Sequence, residues 1–363
     1  MKANITIMPG DGVGPEITRE AVKTLQAIES VFDHDFSINE VLFGGIAIDE
    51  TGTPYPEETQ NACKNSDAVL LGAVGGPKWS DPNLKVRPEK EGLLEMRADL
   101  GVYANIRPIK TYPELIDNSP IKNRYLENID MVFVRELTGG IYFGEKKKTD
   151  TSASDICEYS KVEIERITRV AANIAQGRRK KITSVDKANV MATSQLWRST
   201  TTELIAKEYG ELELEHIFID AATMHLLSRP ADFDVILTDN LFGDILTDEA
   251  AMLTGSIGML PSACLGEDSF GVYEPIHGSA PDIANQGIAN PCGAILSASM
   301  LLQYSLNLKE EAQVIEESVA EVIEEGVLTK DLTGNGYVST EEMGTAVTKK
   351  ILQTYGKNQA TLY

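Results

Sequence analysis

The chain is poor in the side chains that build thiolate, imidazole and large aromatic sites: its 363 residues contain four cysteines, four histidines and two tryptophans. Cys63, Cys157, Cys264 and Cys292 lie far apart and form no C-x-x-C pair. That pattern argues against a disulfide framework or a cysteine-zinc site and reads as reduced, mostly buried thiols. With so few scattered histidines, a bound metal would have to be held by oxygen. Basic charge is short as well. Lysine and arginine total 33 against 55 aspartates and glutamates, a formal net charge of −22. A general nucleic-acid binder or an electrostatic lipid binder needs a basic face, so both are disfavoured. The apolar runs are far too short for a membrane span. Met1 to Gly10 lacks the apolar stretch of a signal peptide, and the expected location is the cytoplasm. No G-x-x-x-x-G-K-[ST] phosphate loop, internal repeat, low-complexity tract or obvious linker occurs.

What is present is an ordinary globular mixture, 42% hydrophobic and 24% charged, with a length that suggests two or three domains at roughly 150 residues each. Short apolar runs alternate with helical patterns, which indicates an α/β protein. Asn4–Met8 reads as a strand. The turn Pro9-Gly10-Asp11-Gly12-Val13-Gly14 follows, and a helix then runs to about Phe32, with Pro15 and Glu16 suited to its first turn. Further strands are expected at Ala68–Leu71, Met131–Val134, Ile182–Val185, His216–Ile219 and Val235–Thr238, with helices at Lys161–Gln176 and near Asp244–Leu253. Arg135, Lys187, Asp220 and Asp239-Asn240 come just after such strands, where α/β sheets bind ligands.

Several groups point to chemistry. G-D-G-V-G-P is not the G-x-G-x-x-G of a dinucleotide-binding turn, so a standard Rossmann reading is weak. Asp244 and Asp248 are four apart on an expected helix and face the same way. With Asp220 they would make an oxygen-ligand set for magnesium or manganese, or else simply an acidic surface. Arg97, Arg107 and Arg135 stand in apolar or turn-like surroundings, where guanidinium groups recognise carboxylates, although surface ion pairs read equally plainly. Lys187 at a strand end is a candidate base and Tyr142 a candidate acid. The run from Asp331 to Glu342 fits much of an EF-hand loop, with glycine at the sixth position and glutamate at the twelfth, but has threonine at the third and no second copy.

The runs PGDGVGPE (9–16), GAVGGPKW (72–79), GLLEMR (92–97), NIRP (105–108), VRELTGGIYFG (134–144), DKANV (186–190), NLFGDILTDE (240–249), HGSAPDIA (277–284) and GIANP (287–291) together resemble one family. It is the decarboxylating β-hydroxyacid dehydrogenases, the isopropylmalate and isocitrate dehydrogenase family. The resemblance extends from about Ile5 to about Thr348.

The resemblance implies a two-domain α/β fold distinct from the standard Rossmann fold. One discontinuous domain, on the NAD side, would combine residues 1–102 and 255–363; the other, 103–254, would carry a dimer interface, with an arm near 146–159. It implies NAD-dependent oxidative decarboxylation of 3-isopropylmalate with Mg2+ or Mn2+, as in leucine biosynthesis, by a homodimer whose active sites are shared. Arg97, Arg107 and Arg135 would grip the substrate carboxylates, and Leu93 and Leu94 would wall its isopropyl group. Asp244 and Asp248 would hold the metal with Asp220 of the second subunit, which also touches substrate. Lys187, also from the partner, would assist proton removal, and Tyr142 would protonate the enolate. NAD would meet His277, Gly278, Ser279, Ala280, Asp282, Ala289 and Asn290 on its adenosine side, with Glu274 and Asn189 on the nicotinamide or ribose side. The carboxylate of Asp282 favours NAD over NADP. Either Glu89 or Glu91 would take a nicotinamide-facing role, and substrate, metal and NAD would meet in a cleft that closes. The alternatives are a D-malate or tartrate enzyme of the same family and, from another class, a non-catalytic NAD- or acid-binding module.

Overall fold

Residues 1–81 and 84–356 are described by the structure, a computed structural model. Residues 82, 83 and 357–363, which the expected first domain includes, lie outside the described residues. The described strands are β1 (Lys2–Gly10), β2 (Asp35–Glu40), β3 (Ala68–Ala73), β4 (Ala104–Lys110), β5 (Asp130–Glu136), β6 (Lys146–Lys148), β7 (Ala153–Asp155), β8 (Lys181–Asp186), β9 (Glu213–Phe218), β10 (Val235–Thr238), β11 (Pro261–Leu265) and β12 (Gly271–Pro275). The chain divides into two compact units, residues 1–102 with 256–363 and residues 103–255.

In the first unit the strands run in the order β2-β1-β3-β12-β11, with the first four parallel and β11 antiparallel to β12. β3 is apolar and buried along its whole length, as a parallel strand covered on both faces must be. The helix Gly14–Phe32 buries Ile17, Ala21, Leu25 and Ile28 at helical spacing and packs on the helices Cys292–Tyr304 and Thr340–Thr354. The first of these is buried on every side from Cys292 to Leu302.

The turn after β1 explains why its glycines are not a dinucleotide fingerprint. Gly12 has φ +61°, and a Cβ there would collide with the carbonyl oxygen of Ser279. That same oxygen accepts the Val13 N–H at 2.9 Å. The glycines therefore make room for the chain's own backbone rather than for a phosphate. Asp11, buried between them, accepts N–H groups from Gly45 (2.8 Å), Ile46 (2.8 Å) and Gly75 (2.7 Å). One carboxylate thus ties three loops together.

In the second unit the order is β4-β5-β10-β8-β9, with β5, β10, β8 and β9 parallel and β4 antiparallel to β5. Thr238 of β10 pairs with Arg135 on one side and Val185 on the other, so the carboxyl ends of three strands come level. The helix Lys161–Gln176 begins on a capping box made by Ser160 and Glu163. β6 and β7 form an antiparallel hairpin within residues 146–155, in the stretch expected to form an arm.

One sequence expectation is corrected. β9 stops at Phe218, and Ile219–Ser228 is a helix. The run Asp-Ala-Ala-Thr-Met-His-Leu-Leu favours helix, so Asp220 sits in a helical first turn, where a carboxylate suits the dipole, and not at a strand end. The EF-hand-like run does not form a cation loop. Asp331, its first position, accepts from Thr329 Oγ1 (2.6 Å), Asn290 Nδ2 (3.0 Å) and Ser256 Oγ. Glu342, its twelfth, closes a capping box with Ser339 for the helix Thr340–Thr354.

The helix Asn240–Ala251 begins four residues before the expected Asp244 because Asp239 caps it, accepting the Phe242 N–H at 2.8 Å. Burial pushes the Asp239 carboxyl up to about 7; the Phe242 amide and Arg135 oppose this, while Glu136 and Asp186 add to it.

Two tests follow from these contacts. Gly12→Ala should lower unfolding free energy by about 2 kcal/mol or more, from a strained φ and a backbone collision, read by urea denaturation; an unchanged midpoint would refute the packing argument. Asp239 keeps its proton in the folded chain to about pH 7, whereas an unfolded aspartate loses it near pH 4. Between those values the unfolded chain binds fewer protons, so stability falls with rising pH, at up to ~1.4 kcal/mol per pH unit. Asp239→Asn preserves the cap and removes that fall. Relative to the parent it should gain stability between pH 5 and pH 8, measured by paired denaturant melts.

Candidate active site

Arg135 ends β5 with its side chain buried, and its partners come from the helix Asn240–Ala251. Nε donates to the Asn240 carbonyl (2.9 Å) and Oδ1 (3.2 Å), and Nη2 donates to Asn240 Oδ1 (2.8 Å). Nη1 meets Asp244 Oδ1 at 2.6 Å. The helix approaches this closely because position 243 is glycine: a Cβ there would stand 2.6 Å from Arg135 Cγ. The other oxygen of Asp244 accepts the Tyr142 hydroxyl at 2.8 Å. Burial first, and then this hydrogen bond, push the Tyr142 phenol up to about 12, so it carries its proton at neutral pH. Arg135, Tyr142 and Asp244 therefore form one connected cluster.

The turn that delivers Tyr142 is held from several sides. Glu136, fully buried, accepts the N–H groups of Thr138 (3.0 Å) and Gly139 (2.7 Å) and is paired with Arg166 (3.2 Å). The ring of Tyr159 packs over Gly139 and Gly140, where any Cβ would strike it. Arg107, on β4, donates to Asn105 Oδ1 (2.6 Å) and to Thr247 Oγ1 (2.7 Å), one turn from Asp244 on the same helix. Asp248 is exposed a turn beyond Asp244.

Lys187 and Asp220 are in direct ionic contact. That hydrogen bond holds the Asp220 carboxyl below its ordinary value. Asn189, on the exposed turn beside Lys187, lines a groove with Arg198, Thr202 and Phe218. Among the described residues no three His, Cys, Asp or Glu side chains stand together as a metal group. Within one chain, Asp220 is thus not gathered with Asp244 and Asp248. The donor chemistry of those two acids, hard oxygen on one helix face, suits Mg2+ or Mn2+ and leaves further ligands to come from elsewhere.

In the first unit, Arg97 on the short helix Glu95–Asp99 is paired with Glu274 at 2.6 Å, and both side chains are largely buried. Leu93 and Leu94 are half-buried at the end of a π-helical segment, Pro88–Leu94. The two candidate glutamates of that segment differ. Glu91 turns back on it, accepting the Arg87 N–H at 2.9 Å and pairing with Lys90 at 3.1 Å. Glu89 lies over Gly75, where a Cβ would collide with its Oε1.

The segment 277–290 carries the nucleotide candidates. His277 Nδ1 faces the Gly278 carbonyl at 2.9 Å, which assigns the ring proton to Nδ1. Burial lowers the pKa of the ring, so it is neutral, and Nε2 is a buried acceptor with no partner in the chain. A buried acceptor of this kind fits a polar heterocycle. Gly278 and Asp282 are exposed. Ser279 is buried with its carbonyl on Val13, and Ala280 has φ +40°. Ala289 is buried and its carbonyl accepts from Thr340 Oγ1 (2.6 Å). Asn290 is buried, donating to Asp331 (3.0 Å) and accepting the Cys292 N–H (2.9 Å).

Sequence reasoning flagged Asn240 only as a strand-end polar residue and missed the clamping roles of Asp11, Glu136 and Glu16. Glu16 accepts the N–H groups of Asn285 and Gly287 and so holds the loop after Asp282. Each of the three is an acid beside a glycine turn or strand end, where backbone N–H groups need acceptors; that was the available signal.

A sequence model of the isocitrate/isopropylmalate dehydrogenase family matches residues 4–347. A protein named 3-isopropylmalate dehydrogenase from Rhodopirellula baltica is 51% identical over 358 residues, covering 97% of this chain and 99% of its own. One of the same name from Priestia megaterium is 52% identical, covering 97% and 96%. Among solved structures, the isocitrate dehydrogenase from Methylococcus capsulatus superimposes with a TM-score of 0.85 at 34% identity, covering 96% of this chain and 99% of that one. On its sequence, its architecture and the residues clustered around Arg135, the chain belongs to the isocitrate/isopropylmalate dehydrogenase family.

Proposed function

We propose that this enzyme oxidises 3-isopropylmalate with NAD and a divalent cation, Mg2+ or Mn2+, and decarboxylates the product to 4-methyl-2-oxopentanoate, a step of leucine biosynthesis. The carrying observation is the Arg135–Tyr142–Asp244 cluster, in a chain about half-identical along its length to proteins bearing that name. Arg97, Arg107 and Arg135 would take the two substrate carboxylates; guanidinium forks suit that task. The half-buried Leu93 and Leu94 would meet the isopropyl group. Lys187 would accept the hydroxyl proton as the carbinol carbon loses hydride. Loss of carbon dioxide then leaves its bonding electrons as an enolate, and Tyr142, protonated at neutral pH, would return a proton to carbon. Bound NAD supplies the hydride acceptor, and the bound cation stabilises charge on the substrate oxygens. Asp244 and Asp248 would hold that cation with Asp220 of a second copy of the chain.

A homodimer suits two further features. Lys187 and Asp220 are paired within one chain, so both would be delivered together to a neighbouring site. The packed helices Ile219–Ser228 and Asn240–Ala251 expose Met224 (62%) and Ile245 (53%), apolar area of the kind a partner covers. On the nucleotide side, the exposed carboxylate of Asp282 would accept ribose hydroxyls and repel a 2′-phosphate. No described helix is long and apolar enough to cross a membrane, and a cytoplasmic location is part of this proposal.

Steady-state kinetics test the reading. With Mg2+ and NAD, kcat/KM for 3-isopropylmalate should exceed that for D-malate by at least about tenfold, the scale of an apolar pocket contact. NADP should be the poorer cofactor, and chelation should abolish turnover. A preference for D-malate would assign the chain to the other branch of the family. Lys187→Met should lower kcat by roughly 10²–10⁴-fold while the melting temperature stays near that of the parent; near-normal turnover would sink the proton-transfer role.

A further inference from the structure

We infer that Asn240 is a positioning residue for the substrate-gripping arginine, and that its neutrality matters as much as its shape. The inference rests on the function proposed above. Asn240 is buried at the first position of its helix. Its Oδ1 and its main-chain carbonyl together take Nε and Nη2 of Arg135, at 2.8–3.2 Å. Its Nδ2 reaches the Gly139 carbonyl at 3.3 Å, and its N–H donates to the Tyr159 hydroxyl at 3.0 Å. One side chain therefore contacts the arginine, the turn carrying Tyr142 and, through its backbone, the ring packed against that turn.

Two consequences follow. A guanidinium rotates about its Cδ–Nε bond unless the Nε edge is held; Asn240 holds that edge and leaves Nη1 directed at Asp244, a candidate metal ligand. An amide also accepts these hydrogen bonds without cancelling the cation. An aspartate of the same shape would accept them equally well, but would set a second carboxylate beside that of Asp244 on the one guanidinium intended for a dianionic substrate. It would also turn a donor into an acceptor facing the Gly139 carbonyl.

The test compares Asn240→Asp and Asn240→Ser in the full-length enzyme. Asn240→Asp should raise KM for 3-isopropylmalate at least about tenfold, the worth of one charge-assisted hydrogen bond. KM for NAD should stay within about twofold, a split that general loosening of the fold would not produce. Asn240→Ser is neutral but too short to span both guanidinium nitrogens, and should raise the same KM roughly threefold to tenfold. An unchanged KM for 3-isopropylmalate in either folded variant overturns the inference. Equal increases in both KM values overturn it too, as does loss of folding in both variants, which would make the role one of stability alone. A parent enzyme that does not turn over 3-isopropylmalate defeats the functional reading itself, and this inference with it; a working parent with an indifferent Asn240→Asp defeats only the inference.

Discussion

A buried arginine at the end of a strand is the constraint around which the second unit is organised. Removing a guanidinium from water is costly, and the cost is offset only by close, directional acceptors. Arg135 finds them on a single helix, which must therefore start and approach in a particular way. Asp239 sets the start by capping it. Gly243 sets the approach, because any side chain there would strike the arginine stem. Asn240 and Asp244 then fall at the right height to take opposite parts of the guanidinium. The run Asp-Asn-Leu-Phe-Gly-Asp follows from that requirement residue by residue. Tyr142 joins the arrangement from a separate turn through the second oxygen of Asp244.

The first unit answers a different constraint, the close approach of loops. The glycine turn after β1 resembles a phosphate cradle, yet its space is filled by Ser279 and its carboxylates serve as clamps. Asp11 collects amides from two other loops, and Glu16 collects amides from the segment following Asp282. Loops that lack regular partners need acceptors for their N–H groups, and short acids beside glycine supply them. The turn thus serves the nucleotide candidates indirectly, by fixing the backbone that displays them.

These two constraints mark what the sequence made legible. Apolar runs located β1, β3, β5, β8 and β10 to within a few residues, because a strand covered on both faces leaves a continuous apolar signature. The helix Lys161–Gln176 was legible to the residue, since a capping box and a helical stripe agree there. The junction at Phe218 was not legible: Ile219 continues the apolar run, and only the tertiary path decides that it opens a helix. The likeness of 331–342 to an EF-hand, discounted on its threonine and its single copy, carried no chemistry because two acids eleven residues apart say nothing about which neighbours each will meet. Spacing placed Asp244 and Asp248 on one helix face but said nothing of Asp220, whose nearest partner in the chain is Lys187.

The net charge of −22 poses a final problem for an enzyme of dicarboxylates. Surface charge is screened within about 8 Å at physiological salt, so most of the surplus acts weakly at the cluster. Asp244 is the acid in direct contact with Arg135, and three buried acids stand at the same strand ends, Glu136, Asp186 and Asp239. Each is supplied with its own donors. Glu136 takes backbone amides and Arg166; Asp186 takes Arg198 in a two-point contact at 2.8 Å and the Ala188 N–H; Asp239 takes the Phe242 N–H. Satisfying these carboxylates locally keeps them from competing for the guanidinium of Arg135. Arg135 then keeps one carboxylate partner, Asp244, and the neutral Asn240, while the other nearby acids are engaged by donors of their own.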